Sequence, residues 1–283
     1  MTPENEDPRK MTVRQLVAVF MLSLRRLAGS KFMLVTAILG ALPVCITILI
    51  VFFHRAEFGA AGINTPGYFH GTFDNIVRIF YLHFIIFFVA NIFGFAVVRQ
   101  EVDDQTLHYL FLQPVRRSFL VLGKLFAYLV LASAVCVTSL WLTYLIWPLF
   151  MFGPVGLVSD LFVEGRLLVL LRQSVVLVLG LLTYGAIAMA MGSVFKSGLY
   201  ALLLLGWESG LPYLPSTLKL WTIAHYLHSL LPEPIQTSRK VFELVGEPAS
   251  ILMSLTVPVF LSAVMIGIAI LLFQIKECVY GQT

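Results

Sequence analysis

Few residues in this 283-residue chain carry chemistry, and most of them stand in apolar surroundings. Glu208, in the stretch LLLLGWESGLPYLP, is a carboxylate inside an apolar run, with Trp207 and Tyr213 close by. A charge held in lipid is costly, so such a residue usually faces a cavity or a partner group. On that reading Glu208, Trp207 and Tyr213 are candidates for a pathway or gate. On the plainer reading the run breaks at Gly210 and Pro212, Glu208 sits near the outer edge, and the two rings belong to an interfacial aromatic belt.

His225 and His228 are three residues apart and share a face if they lie on a helix. Zinc would need a third and fourth ligand, and no cysteine or clear carboxylate stands near them. Cys45, Cys136 and Cys278 are scattered and mostly inside apolar runs, which fits small buried hydrophobes better than a disulfide framework or a metal cluster. No metal site is therefore expected. VLGKLF at 121–126 contains Gly-Lys but lacks the earlier glycine and the hydroxyl of a phosphate-cradling loop. Without such a loop the chain has no P-loop route to ATP hydrolysis. No nucleophile–base triad can be assembled either, so the chain is not expected to be an enzyme and no catalytic residue is assigned.

The elements around these residues are set by composition. The chain is 59% apolar and 12% charged, with a mean hydropathy of +0.92. Globular chains carry roughly 25% charged residues, so the bulk of this one belongs in lipid. Apolar runs predict six membrane-crossing helices near 31–53, 76–98, 124–150, 173–195, 198–214 and 251–275. The fold class expected is an all-α polytopic membrane protein, with residues 1–30 as a tail plus surface helix and 31–283 as one transmembrane domain. In residues 12–30, Val13, Leu16, Val17, Phe20, Leu24 and Leu27 recur at helical spacing, opposite Arg14, Gln15, Arg25 and Arg26. That pattern suits a helix lying in the membrane surface. MTPENEDPRK is polar and mixed in charge, and is not expected to be a signal peptide.

With six spans both termini share a side, and charge bias chooses it. Placing the N-terminus inside puts twelve Lys and Arg residues on inner segments and seven on outer ones. A multi-pass protein of the cell membrane with both termini cytoplasmic follows. Residues 215–250 then lie outside. They hold TLKLWTIAHYLHSLLPEP and TSRKVFELV, pieces too short to span, which could lie on the surface or dip in as re-entrant helices. Near 186–192, Ala186/Ala190 and Ala188/Gly192 form small-xxx-small pairs that permit close helix packing. Arg172 reads as a span-ending side chain that snorkels to the interface.

One stretch departs from this greasy background. Residues 99–124, RQEVDDQTLHYLFLQPVRRSFLVLGK, pack three acids and four bases around a short apolar stripe. Asp103 and Asp104 suit a helix N-terminus. Leu107, Leu110 and Phe111 share one face, and Pro114 stops the helix. The piece is a short amphipathic helix between two spans on the inner side. It is either a tight interfacial connector or an anchor that plugs into a groove on a cytoplasmic partner.

The order acid, Thr-Leu, Leu, Pro-Val, Arg, Gly-Lys resembles the cytoplasmic connection of the ABC-2 type permeases, the membrane subunits of ATP-binding-cassette transporters. The matching residues are Glu101, Thr106, Leu107, Leu110, Phe111, Pro114, Val115, Arg117, Gly123 and Lys124, with Gln105 where the family has Gly. The layout of surface helix, six spans and a large outer segment before the last span is also similar. The resemblance implies that Thr106–Gln113 is the coupling helix that docks on an ATPase. Glu101, Asp104, Thr106, Leu107, Leu110, Phe111, Pro114 and Arg117 would then be the ATPase-coupling residues. It implies two ATPase subunits carrying ATP and Mg, a second permease copy or a paralogue, no cofactor in this chain, no nucleic-acid partner, and export rather than import. Two other functions remain open. A secondary transporter would need ionisable groups in several spans, where only Glu208 qualifies. A non-transporting scaffold or sensor docked to an ATPase would differ in moving no substrate across vesicles.

Overall fold

The computed structural model describes residues 8–57, 66–97, 117–195, 200–210, 218, 220–232 and 248–280. These residues are almost entirely helical and contain no strand, as an all-α polytopic membrane protein requires. Helix α1 (Pro8–Ala28) and helix α2 (Lys31–Glu57) are separated by a turn at Gly29 and Ser30, where the Ser30 hydroxyl donates to the Leu27 carbonyl at 2.7 Å. The next rod begins as α3 (Pro66–Ile76), widens into π-helical turns at Val77–Ile85, passes through α4 (Ile86–Val89) and widens again at Ala90–Gly94. Helix α5 (Arg117–Phe162) follows, then α6 (Arg166–Val194), α7 (Tyr200–Gly210), the short α8 (Ile223–Ser229) and α9 (Ile251–Tyr280).

Five of the described helical segments are long and apolar enough to cross a membrane: Lys31–Phe53, Phe69–Val97, Ser118–Phe150, Arg166–Val194 and Ile251–Phe273. The span expected at 198–214 is described only as α7, whose 11 residues rise about 16 Å, roughly half a hydrocarbon core. The second and fourth spans start about seven residues earlier than 76 and 173. Polar residues made those positions look like loop, but Asp74 and Gln173 meet each other instead of water, with Gln173 Nε2 donating to Asp74 Oδ1 at 2.9 Å.

Helix α6 is the centre of the bundle, with 72% of its spanning window buried, against 28% for α2 and 17% for α9. Its small residues explain how neighbours come so close. Gly185 lies under the Tyr128 ring, where a Cβ would come within 2.3 Å of Cε1. Gly94 lies against Ala188, and Gly192 against Phe95. Gly123 at the start of α5 receives Val19, so α1 packs on the same end of the bundle as the start of α5. Helix α5 is bent at Gly153, whose φ of 70° is a conformation that other residues rarely adopt, and Pro154 follows it. The bend leaves Phe152–Phe162 as a short apolar arm beyond the spanning part.

Candidate functional site

A group of buried polar and charged side chains lies in the half of the bundle away from α1. At their centre is α8. It is buried over most of its length although it has only seven residues. A helix so short cannot hold itself together and leaves all its end groups unsatisfied within apolar surroundings. Each end is met by a charged side chain. At the N-terminus, Glu208 accepts the backbone N–H of Ile223 at 3.2 Å and that of Ala224 at 3.1 Å. The Thr222 hydroxyl accepts the N–H of His225 at 3.4 Å. At the C-terminus, Arg172 Nε donates to the Leu230 carbonyl at 2.6 Å, and Arg78 donates to the Pro232 carbonyl. The carboxylate therefore sits at the positive end of the helix and the guanidinium groups at the negative end, the favourable arrangement at both.

This geometry locates Glu208. It is 5% exposed and hydrogen-bonds the hydroxyl of Tyr184, which lies well inside α6. From Tyr200 to Glu208 the helix rises about 12 Å. Glu208 is thus buried inside the bundle, two residues before the helix ends at Gly210. Its neighbour Trp207 is 48% exposed. Tyr213 lies outside the described residues. Arg172 is likewise more than a snorkelling end group, because its guanidinium is spent on a backbone carbonyl of α8.

His228 and His225 are both buried on α8. His228 Nε2 lies 3.2 Å from Nδ1 of His83 on the second span, and the two rings tilt against each other with centroids 5.2 Å apart. The pair ties α8 to the π-helical turn at Val77–Ile85. Behind it, Tyr81 bonds the Ser139 hydroxyl at 2.7 Å and that of Thr143 at 2.8 Å, locking the second span to α5.

Farther along the same half, His70 Nε2 lies 3.1 Å from Asp160 Oδ1 and 3.3 Å from Glu164 Oε2. Asp160 also accepts a hydrogen bond from the Tyr144 hydroxyl. No spacing rule could bring His70 to Asp160, since 90 residues separate them. Asp160 and Glu164 are four apart in sequence, but α5 ends at Phe162 and Glu164 lies in the turn beyond it.

The expected coupling residues Glu101, Asp104, Thr106, Leu107, Leu110, Phe111 and Pro114 lie outside the described residues. Arg117 opens α5, and its side chain is outside them as well. What is described is their frame. Val97 ends the second span and α5 begins at Arg117.

Residues 58–278 match the family described as ABC-2 family transporter protein, which is more than three quarters of the chain. The chain belongs to that family and is a membrane permease of ABC transporters. No curated protein and no solved structure matches it significantly.

Proposed function

We propose that this permease works with a separate ATPase and moves its substrate outward. The observation that carries the reading is the acid, Thr-Leu, Leu, Pro-Val, Arg order over Glu101–Arg117, placed between two candidate spans whose ends Val97 and Ser118 bracket it. In that position an amphipathic helix can present Leu107, Leu110 and Phe111 to a groove on the ATPase. The phosphate-cradling loop missing from this chain would be supplied by that partner, along with ATP and Mg.

Two ATPase subunits and two permeases, identical or paralogous, complete the assembly in this reading. The sparsely buried α2 and α9 offer faces to lipid or to the second permease. Glu208 holds α8 against α6 and α7, so that the outer half of the pathway opens when α8 moves. Trp207, half-exposed beside it, and Tyr213 border that gate. Both termini are cytoplasmic and the membrane is the cell membrane.

The test is co-expression of the chain with an ATPase encoded beside it, followed by reconstitution into vesicles. ATP turnover that requires both chains, together with ATP-driven movement of a substrate, is the expected result. Turnover without any movement would favour a scaffold or sensor. Movement driven by an ion gradient without the ATPase would overturn the proposal.

A further inference from the structure

We propose that His70, Asp160 and Glu164 form a binding site for a divalent transition-metal cation at the bundle end that carries the α5–α6 corner. The three residues each offer one ligand atom, and these atoms lie within 4.8 Å of one another. Two of the separations are known individually, 3.1 Å from His70 Nε2 to Asp160 Oδ1 and 3.3 Å from the same nitrogen to Glu164 Oε2. Zinc bonds its nitrogen and oxygen ligands at about 2.0–2.2 Å in tetrahedral geometry, which sets ligand atoms roughly 3.3 Å apart. Both separations from His70 are close to that spacing.

Hydrogen bonding alone accounts for the cluster poorly. Nε2 carries at most one hydrogen, whatever the charge of the ring. It can point that hydrogen well at only one of the two carboxylate oxygens. With the ring proton on Nδ1 instead, a lone pair and two carboxylates converge with nothing positive between them. Nδ1 itself is buried and has no hydrogen-bond partner, so the ring's polar contacts are all made through Nε2. A cation among the three atoms resolves the conflict, because it takes the lone pair and both carboxylates at once.

The surroundings resemble those of a ligand set. The second oxygen of Asp160 is held by the Tyr144 hydroxyl, the kind of outer contact that orients a ligating carboxylate. Phe69 stacks on Trp147 and packs on Tyr144, giving His70 and Asp160 an apolar shell, and their side chains are 4% and 9% exposed. The Glu164 side chain is 47% exposed, which leaves an entry side. Gly165, at φ 70°, turns the chain immediately after it. Arg166 brings one positive charge close to His70, so two carboxylates and one guanidinium leave a net negative charge for the cation to neutralise. One imidazole and two carboxylates without a thiolate suit Zn²⁺ or Mn²⁺ rather than Cu(I).

The test uses the full chain in detergent, stripped with chelator and titrated calorimetrically with Zn²⁺. One Zn²⁺ per chain is expected, with a rise in Tm on loading. Both should be lost in His70→Ala and in Glu164→Gln, each weakening binding at least about 100-fold. Tyr144→Phe, which removes only an outer contact, should weaken it about tenfold. His54→Ala should bind as the native chain does. If His70→Ala does not yield monodisperse protein, Glu164→Gln decides, since its half-exposed position tolerates the amide. No one-per-chain binding by the native protein, or such binding undiminished in Glu164→Gln, overturns the proposal.

Discussion

The Glu208 carboxylate, eight residues into α7, accepts the N–H of Ala224 at 3.1 Å on a different helix. It takes the N–H of Ile223 with its other oxygen, so one buried acid satisfies two of the end groups of α8. Removing that acid leaves two buried donors without this acceptor, at about 1–3 kcal/mol each. Glu208→Ala should therefore lower unfolding stability in detergent by several kcal/mol, and Glu208→Gln, which keeps one acceptor oxygen, by less. An alanine variant within about 0.5 kcal/mol of the native chain would show that α8 does not depend on this cap.

The other end of α8 gives a separable prediction. Arg172→Ala takes the donor from the Leu230 carbonyl, an acceptor otherwise held at 2.6 Å. Amide hydrogens of 223–231 should exchange faster, while those of α5 and the C-terminal half of α6 keep their native protection. Arg78 acts on the neighbouring Pro232 carbonyl, so Arg78→Ala and Arg172→Ala together should cost less or more than their sum. Unchanged exchange over 223–231 in Arg172→Ala would return that residue to a snorkelling role.

The apolar runs were legible because burial in lipid needs little beyond length and hydropathy, and five of them appear as spanning helices close to where the runs lie. A short, non-spanning helix in 215–250 was legible for the converse reason: the apolar pieces there are too short to cross. Its supports were not legible. The partners of Glu208 and Arg172 are backbone groups, which leave no trace in residue type. Span starts were misread at Asp74 and Gln173 because polar residues that satisfy one another inside a bundle look, in sequence, like residues that need water. The π-helical turns at Val77–Ile85 and Ala90–Gly94 have no local signature in the sequence. His70, Asp160 and Glu164 come together only through the bend at Gly153, a feature of the third dimension.

Packing at Gly185 offers a sharp test of the bundle's centre. A Cβ there would stand 2.3 Å from Cε1 of Tyr128, whose hydroxyl is fixed by the Leu181 carbonyl at 3.1 Å. The ring cannot swing away without breaking that bond. Gly185→Ala should destabilise the chain by about 1–3 kcal/mol, and Tyr128→Phe combined with it, which frees the ring from that bond and removes the hydroxyl, should recover part of the loss. Native stability in Gly185→Ala, measured by thermal unfolding in detergent, would contradict the contact.

Topology can be read by labelling. In a chain lacking Cys45, Cys136 and Cys278, a cysteine at Ser216 should react with an impermeant thiol reagent applied to intact cells. One at Thr2 should not. The expectation rests on the twelve-to-seven division of Lys and Arg between the two sides. The reverse labelling pattern would invert the orientation and put residues 99–124 outside, where no ATPase could reach them.

The coupling proposal meets its strictest test at Leu110. An apolar anchor buried in an ATPase groove is worth about 1.5–3 kcal/mol, and an aspartate in its place adds the cost of a buried, unpartnered charge. Leu110→Asp should therefore reduce co-purification of the ATPase and abolish ATP-driven transport. Expression and insertion should survive, because 110 lies between the spans Phe69–Val97 and Ser118–Phe150 and within neither. On a helix His108 would stand roughly 160° from Leu110, so His108→Ala controls for general disturbance of the segment. If Leu110→Asp keeps ATPase association and transport at native levels while His108→Ala does the same, the segment is a connector. The anchoring contact would then have to be sought elsewhere on the end of the bundle where α1 packs against the start of α5.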